Sequence, residues 1–372
     1  MNRPGPSPLD PEQVAAATLA CLPEMTPNRL HAIIDAFGDT VHALDAVIRG
    51  RVAGTVRAVT RPHLQDAIDP LTQLWSAVAR DDRLPAVLAR RGTHVHVEGR
   101  ADWPFREMPD APAVLLAEGA APNTLSLPRV AVVGTRAATP HGLADAYELG
   151  GYLAAGGCTV VSGLAIGIDG AAHEGALDAG GAVVGVVGTG LDVVYPRRHR
   201  VLFERVRDQG LIVSELGYGV GPRKAAFPIR NRIIAGLADV VVVVEATERG
   251  GARITADRAI DYGRQVFAMP GSRRNPASVG ANQLLYDGAL PLVQPSDVFV
   301  QLGLTQGARN AARPQPSGDE GRVLRACGGE PTTLDELTSR TGIEARALAG
   351  IVRALERDRW LTRKDGLYWP LT

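Results

Sequence analysis

Lysine is almost missing from this chain. Of its 40 basic side chains, only Lys224 and Lys364 are lysines, and the rest are arginine. A lysine that survives such a bias is either a chance remnant or a compact charge kept for a purpose. Cysteine is scarce too: Cys21, Cys158 and Cys327 are far apart and odd in number. That pattern excludes a disulfide framework or a zinc site and fits reduced core thiols. No apolar run is long enough to span a membrane, and the opening residues 1–6 lack the pattern of a signal peptide. The expectation is a cytoplasmic protein without membrane contact. Charge of one sign is also lacking, since 40 basic residues balance 40 acidic ones. A generic nucleic-acid coat is excluded, and any such site must be a local concentration of charge.

What is present is alternation. Residues 1–92 are rich in alanine and leucine with helical periodicity, and 25–39 read as a helix start, a helix and a turn. From 93 to 300, short valine and isoleucine runs alternate with helical segments. The expected strands are 129–133, 158–162, 182–187, 211–214, 239–244 and 265–269. Five consecutive valines after Asp239 fit a strand buried on both faces, as in a parallel sheet between helices. The class is therefore α/β, a doubly wound, mostly parallel Rossmann-like sheet. Residues 301–318 read as a linker. Residues 319–372 carry a capping box at Thr333 and Glu336, a break at Gly342, an apolar helix face and a hairpin signal around Gly366. That order is a winged helix.

The chemistry sits where ligands bind an open parallel sheet, beyond the carboxyl ends of its strands. Three such ends are glycine-rich: Gly134-Thr135-Arg136, Ser162-Gly163 and Gly188-Thr189-Gly190. Thr139 and Pro140 start a helix just after the first, leaving free N–H groups nearby. The first loop has an arginine where a dinucleotide site needs its second glycine, and no acid for a ribose ends the second strand. No phosphate loop of the ATPase type occurs either. These features point to a polyanion. A second cluster spans Arg223, Lys224, Phe227, Arg230, Asn231 and Arg232; residues 216–237 hold four basic side chains and no acid. Phe227 precedes a proline, so the expectation is extended backbone there. A base stacks on such a ring while cations hold phosphates, the logic of single-strand binding.

Other candidates weigh less. Asp169 and His173 are four apart on one helix face and are read as a helix cap and a satisfied core histidine. His94 and His96 alternate on a possible strand and are read as surface residues. Glu215 and Glu245 end strands and have two open readings, as acid and base or as partners of Arg230 or Arg232. The expected metal and cofactor content is none. The C-terminal unit holds nine basic and nine acidic residues, too neutral for a typical DNA reader. Duplex DNA and a protein both stay open as its partner.

The ordered motifs resemble one family. They are Gly134-Thr135-Arg136, the run from Ser162 through Asp169 to His173, Gly188 to Pro196, Ser214-Glu215, Phe227 to Gly236, Gly263 to Gly271 and Gly280 to Asn282. Across residues 105–295 they are similar to the DNA-processing protein A (DprA/Smf) family. The helical N-terminus resembles that family's SAM-like domain. The resemblance implies a protein that is not an enzyme. It implies binding and protection of single-stranded DNA, loading of the RecA recombinase in natural transformation, and a homodimer. By the same resemblance, Arg136, Arg197, Lys224 and Arg230 meet phosphates, Phe227 meets a base, and Ser162-Gly163 lends donors. The chain departs from the family in Thr135 for serine, in Gly251-Ala252-Arg253 for Gly-Ser-Leu, and in the residues after Glu215. The alternative class is a nucleotide-processing enzyme of phosphoribohydrolase type, whose Pro-Gly-Gly-x-Gly-Thr-x-x-Glu motif is missing.

Overall fold

A computed structural model of the chain describes residues 9–304, 316–327, 331–358, 360–364 and 366–370. The N-terminal unit is helical: α1 (Pro11–Ala20), α2 (Pro27–Phe37), α3 (Thr40–Ile48), α4 (Ala53–Ala58), α5 (Ile68–Val78) and α6 (Arg83–Arg91). Its starts are chemically marked. Asp10 and Gln13 form a capping box on α1, while Thr26 and Asp39 cap α2 and α3. Trp75, fully buried in α5, donates from Nε1 to the Pro23 carbonyl at 2.7 Å.

One nine-stranded sheet follows. Its strands are β1 (His94–Val97), β2 (Val114–Glu118), β3 (Arg129–Val133), β4 (Thr159–Ser162), β5 (Val183–Val186), β6 (Leu211–Ser214), β7 (Val240–Val243), β8 (Gln265–Ala268) and β9 (Leu290–Pro291). The spatial order is β1-β2-β6-β5-β4-β3-β7-β8-β9. The seven strands from β3 to β9 run parallel to their neighbours, and β1 and β2 add an antiparallel edge. All six expected strands are present. The expectation missed β2 and the short β9, and β1 was foreseen only through its histidines. Those histidines are half-buried rather than surface residues, and His96 Nδ1 lies 3.0 Å from the Asp102 carboxylate.

Helices cover both faces: α7 (Pro140–Ala155), α8 (Ile168–Asp178) and α9 (Arg200–Gln209) on one, α10 (Ala226–Leu237), α11 (Gly251–Asp261) and α12 (Val279–Tyr286) on the other, with α13 (Ser296–Gln301) after β9. The valine run of β7 shows why the sheet is sandwiched. Val240, Val242 and Val244 join the core on the first face, and Val241 and Val243 join the second. The chain moves from β3 outward to β6, then returns through α10 to β7 on the other side of β3. The connections leaving β3 and β7 thus diverge, which opens a crevice at their carboxyl ends.

The C-terminal unit is α14 (Gly318–Cys327), α15 (Leu334–Thr341), α16 (Ala345–Arg357) and a hairpin of β10 (Leu361–Lys364) and β11 (Leu367–Pro370). The Thr333–Glu336 capping box forms, and Gly342 ends α15 at φ +67°. Its core, around Leu348, Val352 and Trp360, is separate from the two sheet cores. Most of the expected linker, 305–315, and the hairpin's Asp365 lie outside the described residues.

Candidate nucleic-acid interface

Loops from several strands converge on one aromatic ring. Phe227 stands in the first turn of α10, not in extended backbone as its proline neighbour suggested. The first turn of a helix has no use for the proline N–H, so Pro228 fits there without breaking a bond. The turn aims the ring at the crevice. The Arg136 guanidinium carbon lies 5.3 Å from the ring centroid, and the Tyr195 ring lies 5.2 Å away at 32°. Gly188 forms the floor: a Cβ there would sit 3.3 Å from the Phe227 ring. A side chain from the β3 end, one from the loop after β5, and the start of α10 therefore meet at one point. Tyr195 was no site residue by sequence; its place in the Gly188 to Pro196 motif was the available signal.

The segments that carry this ring, Arg136 and Tyr195 also carry exposed cations. Arg136, Arg197, Arg223 and Lys224 are exposed and form no ion pair among the described residues. Thr139 caps α7, accepting from the Gly142 N–H at 3.0 Å, with Pro140 as the first helical residue. This matches the expectation for a helix start beside the first loop.

Under the loops lies a buried polar frame. Asp169 does not cap α8; Gly167 holds that position with φ +90°, where a Cβ would strike the Thr135 carbonyl. Asp169 instead accepts from the Gly163 N–H at 3.1 Å, with Arg230 alongside. Burial pushes the Asp169 carboxyl up, and Arg230 with nearby N–H groups opposes this. Burial brings Arg230 down to about 10, still a cation at neutral pH. Arg230 also donates to the Val186 carbonyl. The Ser162 hydroxyl donates to the Val132 carbonyl at 2.6 Å and is fully buried. Arg232 is tied to Glu215 and to the Asp110 carbonyl. Asn231 donates to the Gly251 carbonyl at 3.1 Å. Glu245 joins neither arginine; it accepts from Thr139 N at 2.9 Å and Thr139 Oγ1 at 2.7 Å.

The sequence-expected residues thus divide in two. Arg136 meets Phe227, and Gly134, Thr135, Arg197 and Lys224 stand on the loops that lead to this pair or to Tyr195. Ser162, Gly163, Arg230, Asn231 and Arg232 build the frame that holds them. His173 is satisfied as expected on one side, its Nε2 3.1 Å from the Val184 carbonyl. No group of three or more histidine, cysteine or acidic residues fit for a metal ion occurs among the described residues. Nor is any helix there long and apolar enough to cross a membrane.

Comparison with known proteins bears on this edge. A family model described as DNA recombination-mediator protein A matches residues 94–303. A second, the DprA winged helix domain, matches 307–366. The chain is 43% identical over 199 residues to DNA processing protein DprA of Streptococcus pneumoniae, spanning 54% of this chain and 70% of that protein. The X-ray structure of DprA from Streptococcus pneumoniae superposes with a TM-score of 0.63 at 31% identity, covering 78% of this chain and 98% of that one. A structure of DNA processing protein A from Helicobacter pylori, described for its single-stranded DNA binding mode, gives 0.51 at 30% identity, over 56% of this chain and 95% of that one.

Proposed function

Because the chain belongs to the DNA recombination-mediator protein A family, we propose that it binds single-stranded DNA along the carboxyl edge of its sheet, protects it, and loads RecA onto it. The observation that carries this is the meeting of Arg136, Phe227 and Tyr195, with exposed Lys224 and Arg197 close to Phe227 and Tyr195 in the chain. A base stacks on the Phe227 ring, and the cations take the flanking phosphates. The N–H groups of the Gly134-Thr135 turn and the start of α7 add donors. Arg230, with Asp169, positions the Gly163 loop from beneath. The protein acts without catalysis, metal or cofactor, as a cytoplasmic homodimer in natural transformation or recombination. The single-stranded DNA binding mode described for the Helicobacter pylori relative supports the ligand class.

Fluorescence anisotropy tests this with labelled oligo-dT and duplex at two salt concentrations. The single strand binds tighter, and its affinity falls as salt rises. Arg136→Ala and Lys224→Ala each weaken it by about tenfold or more, as expected for a lost charge-assisted bond. Equal affinity for duplex, or full binding by Arg136→Ala, contradicts the reading. Loading is read separately, as RecA strand exchange on DNA coated with single-strand-binding protein, with and without this chain.

A further inference from the structure

The described crevice uses one side of the sheet's reversal point. The other side carries arginines that the first site leaves idle. Arg249 follows β7, and Arg273 and Arg274 follow β8, so all three leave the same carboxyl edge as Arg136. Neighbouring strands lie about 4.8 Å apart, which puts the β8 end only about 10 Å along the edge from the β3 end. All three side chains are exposed and form no ion pair among the described residues. Arg253, by contrast, is held by Asp287 at 3.3 Å. Between Asp261 and Asp287 the chain has no acidic residue, and Glu248 is the one acid from 246 to 256.

Hydrogen bonds fix these loops to the first one. The Thr135 N–H donates to the Glu245 carbonyl at 2.7 Å, and the Glu245 carboxylate holds Thr139. The same carboxylate accepts from Asn275 Nδ2 at 3.4 Å, next to Arg274. Gly271 and Asn282 exchange two bonds at 3.1 and 2.9 Å, and Gly280 N–H donates to the Ala246 carbonyl at 2.7 Å. Asn231 ties the helix of Phe227 to the Gly251 turn beyond Arg249. α11 starts there without a side-chain cap, and its Arg253 N–H donates to the Gly250 carbonyl at 3.1 Å.

Resting on the single-strand reading above, we propose that Arg249, Arg273 and Arg274 bind further phosphates of the same strand, carrying it across the ends of β7 and β8. Guanidinium forks suit phosphate oxygens. Neither loop, 245–250 or 269–278, contains an aromatic residue. This half of the track grips backbone only. Its effect depends on strand length and salt and not on base identity.

The test is anisotropy on the full chain with oligo-dT of about six and about fifteen nucleotides, within the range of single-strand site sizes. In the variant Arg249→Gln, Arg273→Gln, Arg274→Gln, affinity for the short strand stays unchanged and that for the long strand falls about tenfold. The slope of log affinity against log salt for the long strand drops by about 2, since each single-strand phosphate contact contributes about 0.7. Lysine at the three positions restores the slope. Unchanged affinity and slope on the long strand overturn the proposal while Arg136→Ala still weakens both lengths. Equal loss on both lengths overturns it as well. Wild-type protein that binds neither strand sinks the single-strand reading and this extension together.

Discussion

At the scale of single residues, a charge's burial decides its role more than its identity does. Arg136 and Arg230 read alike in the sequence, as cations near glycine loops. The fold leaves Arg136 exposed over Phe227 and seals Arg230 against Asp169 and the Val186 carbonyl. Spacing cannot separate the two, because burial comes from α10 packing across the ends of β3, β4 and β5. The Phe227 backbone was misread for a related reason: the rule for residues before proline is weakest in a helix's first turn. His173 yields a pH prediction. Burial lowers its pKa from 6.5 to about 4, with Val184 opposing. The unfolded chain takes up its proton first, so stability is held above pH 6.5 and lost as pH falls toward 4, by about 3 kcal/mol in all. Glu215, pushed up to about 7 by burial while Arg232 opposes the shift, works in the opposite direction. The comparison that isolates the histidine is with His173→Gln, which keeps a donor for Val184. Urea midpoints from pH 7 to 4.5 should fall more steeply for wild type than for the variant, and parallel curves would refute the assignment.

At the scale of elements, the six parallel strands from β3 to β8 were legible because each is almost wholly buried and so reads as a short apolar run, whereas the exposed two-residue β9 was not. Nor were the two strands that add the antiparallel edge. β1 alternates half-buried and buried residues, and β2, although wholly buried, sits in a connector with no helical segment to set it off. Their link to the N-terminal helices is also invisible in the sequence. Arg91 at the end of α6 grips Glu118 at the end of β2 through two bonds of 2.6 and 2.9 Å. Thr93 and Tyr218 converge on the same carboxylate, and Tyr218 lies in the loop that leads to Lys224. Burying a carboxylate to 3% side-chain exposure costs free energy unless such partners satisfy it. Glu118→Gln keeps the shape and loses the charge. It should cost about 2 kcal/mol in urea unfolding and should weaken single-strand binding only modestly, because Lys224 itself remains. A stability equal to wild type would mean the cluster does not hold the N-terminal helices.

At the scale of the whole molecule, two kinds of boundary coexist. The N-terminal helices share a continuous core with one face of the sheet, with members from Leu19 and Trp75 to Val130 and Val240. They are not an independent appendage. The winged helix is different. Its core stands apart, and a ring contact joins it to the body: Trp369 meets His141 edge-on at 5.4 Å, in the first turn of α7. Edge-on aromatic contacts contribute about 1 kcal/mol, too little to make one cooperative unit from two cores. A chain ending at residue 304 should therefore unfold with the same midpoint as the body of the full protein and keep single-strand affinity within about threefold, since a shift of 1.4 kcal/mol would be needed for tenfold. Trp369 does lie beside the helix start that follows the Arg136 loop. Should truncation raise affinity well beyond threefold, the hairpin would be an obstacle at the mouth of the crevice. Should it abolish binding, the crevice would not be the main DNA site, and the cations at the sheet's edge would need another explanation.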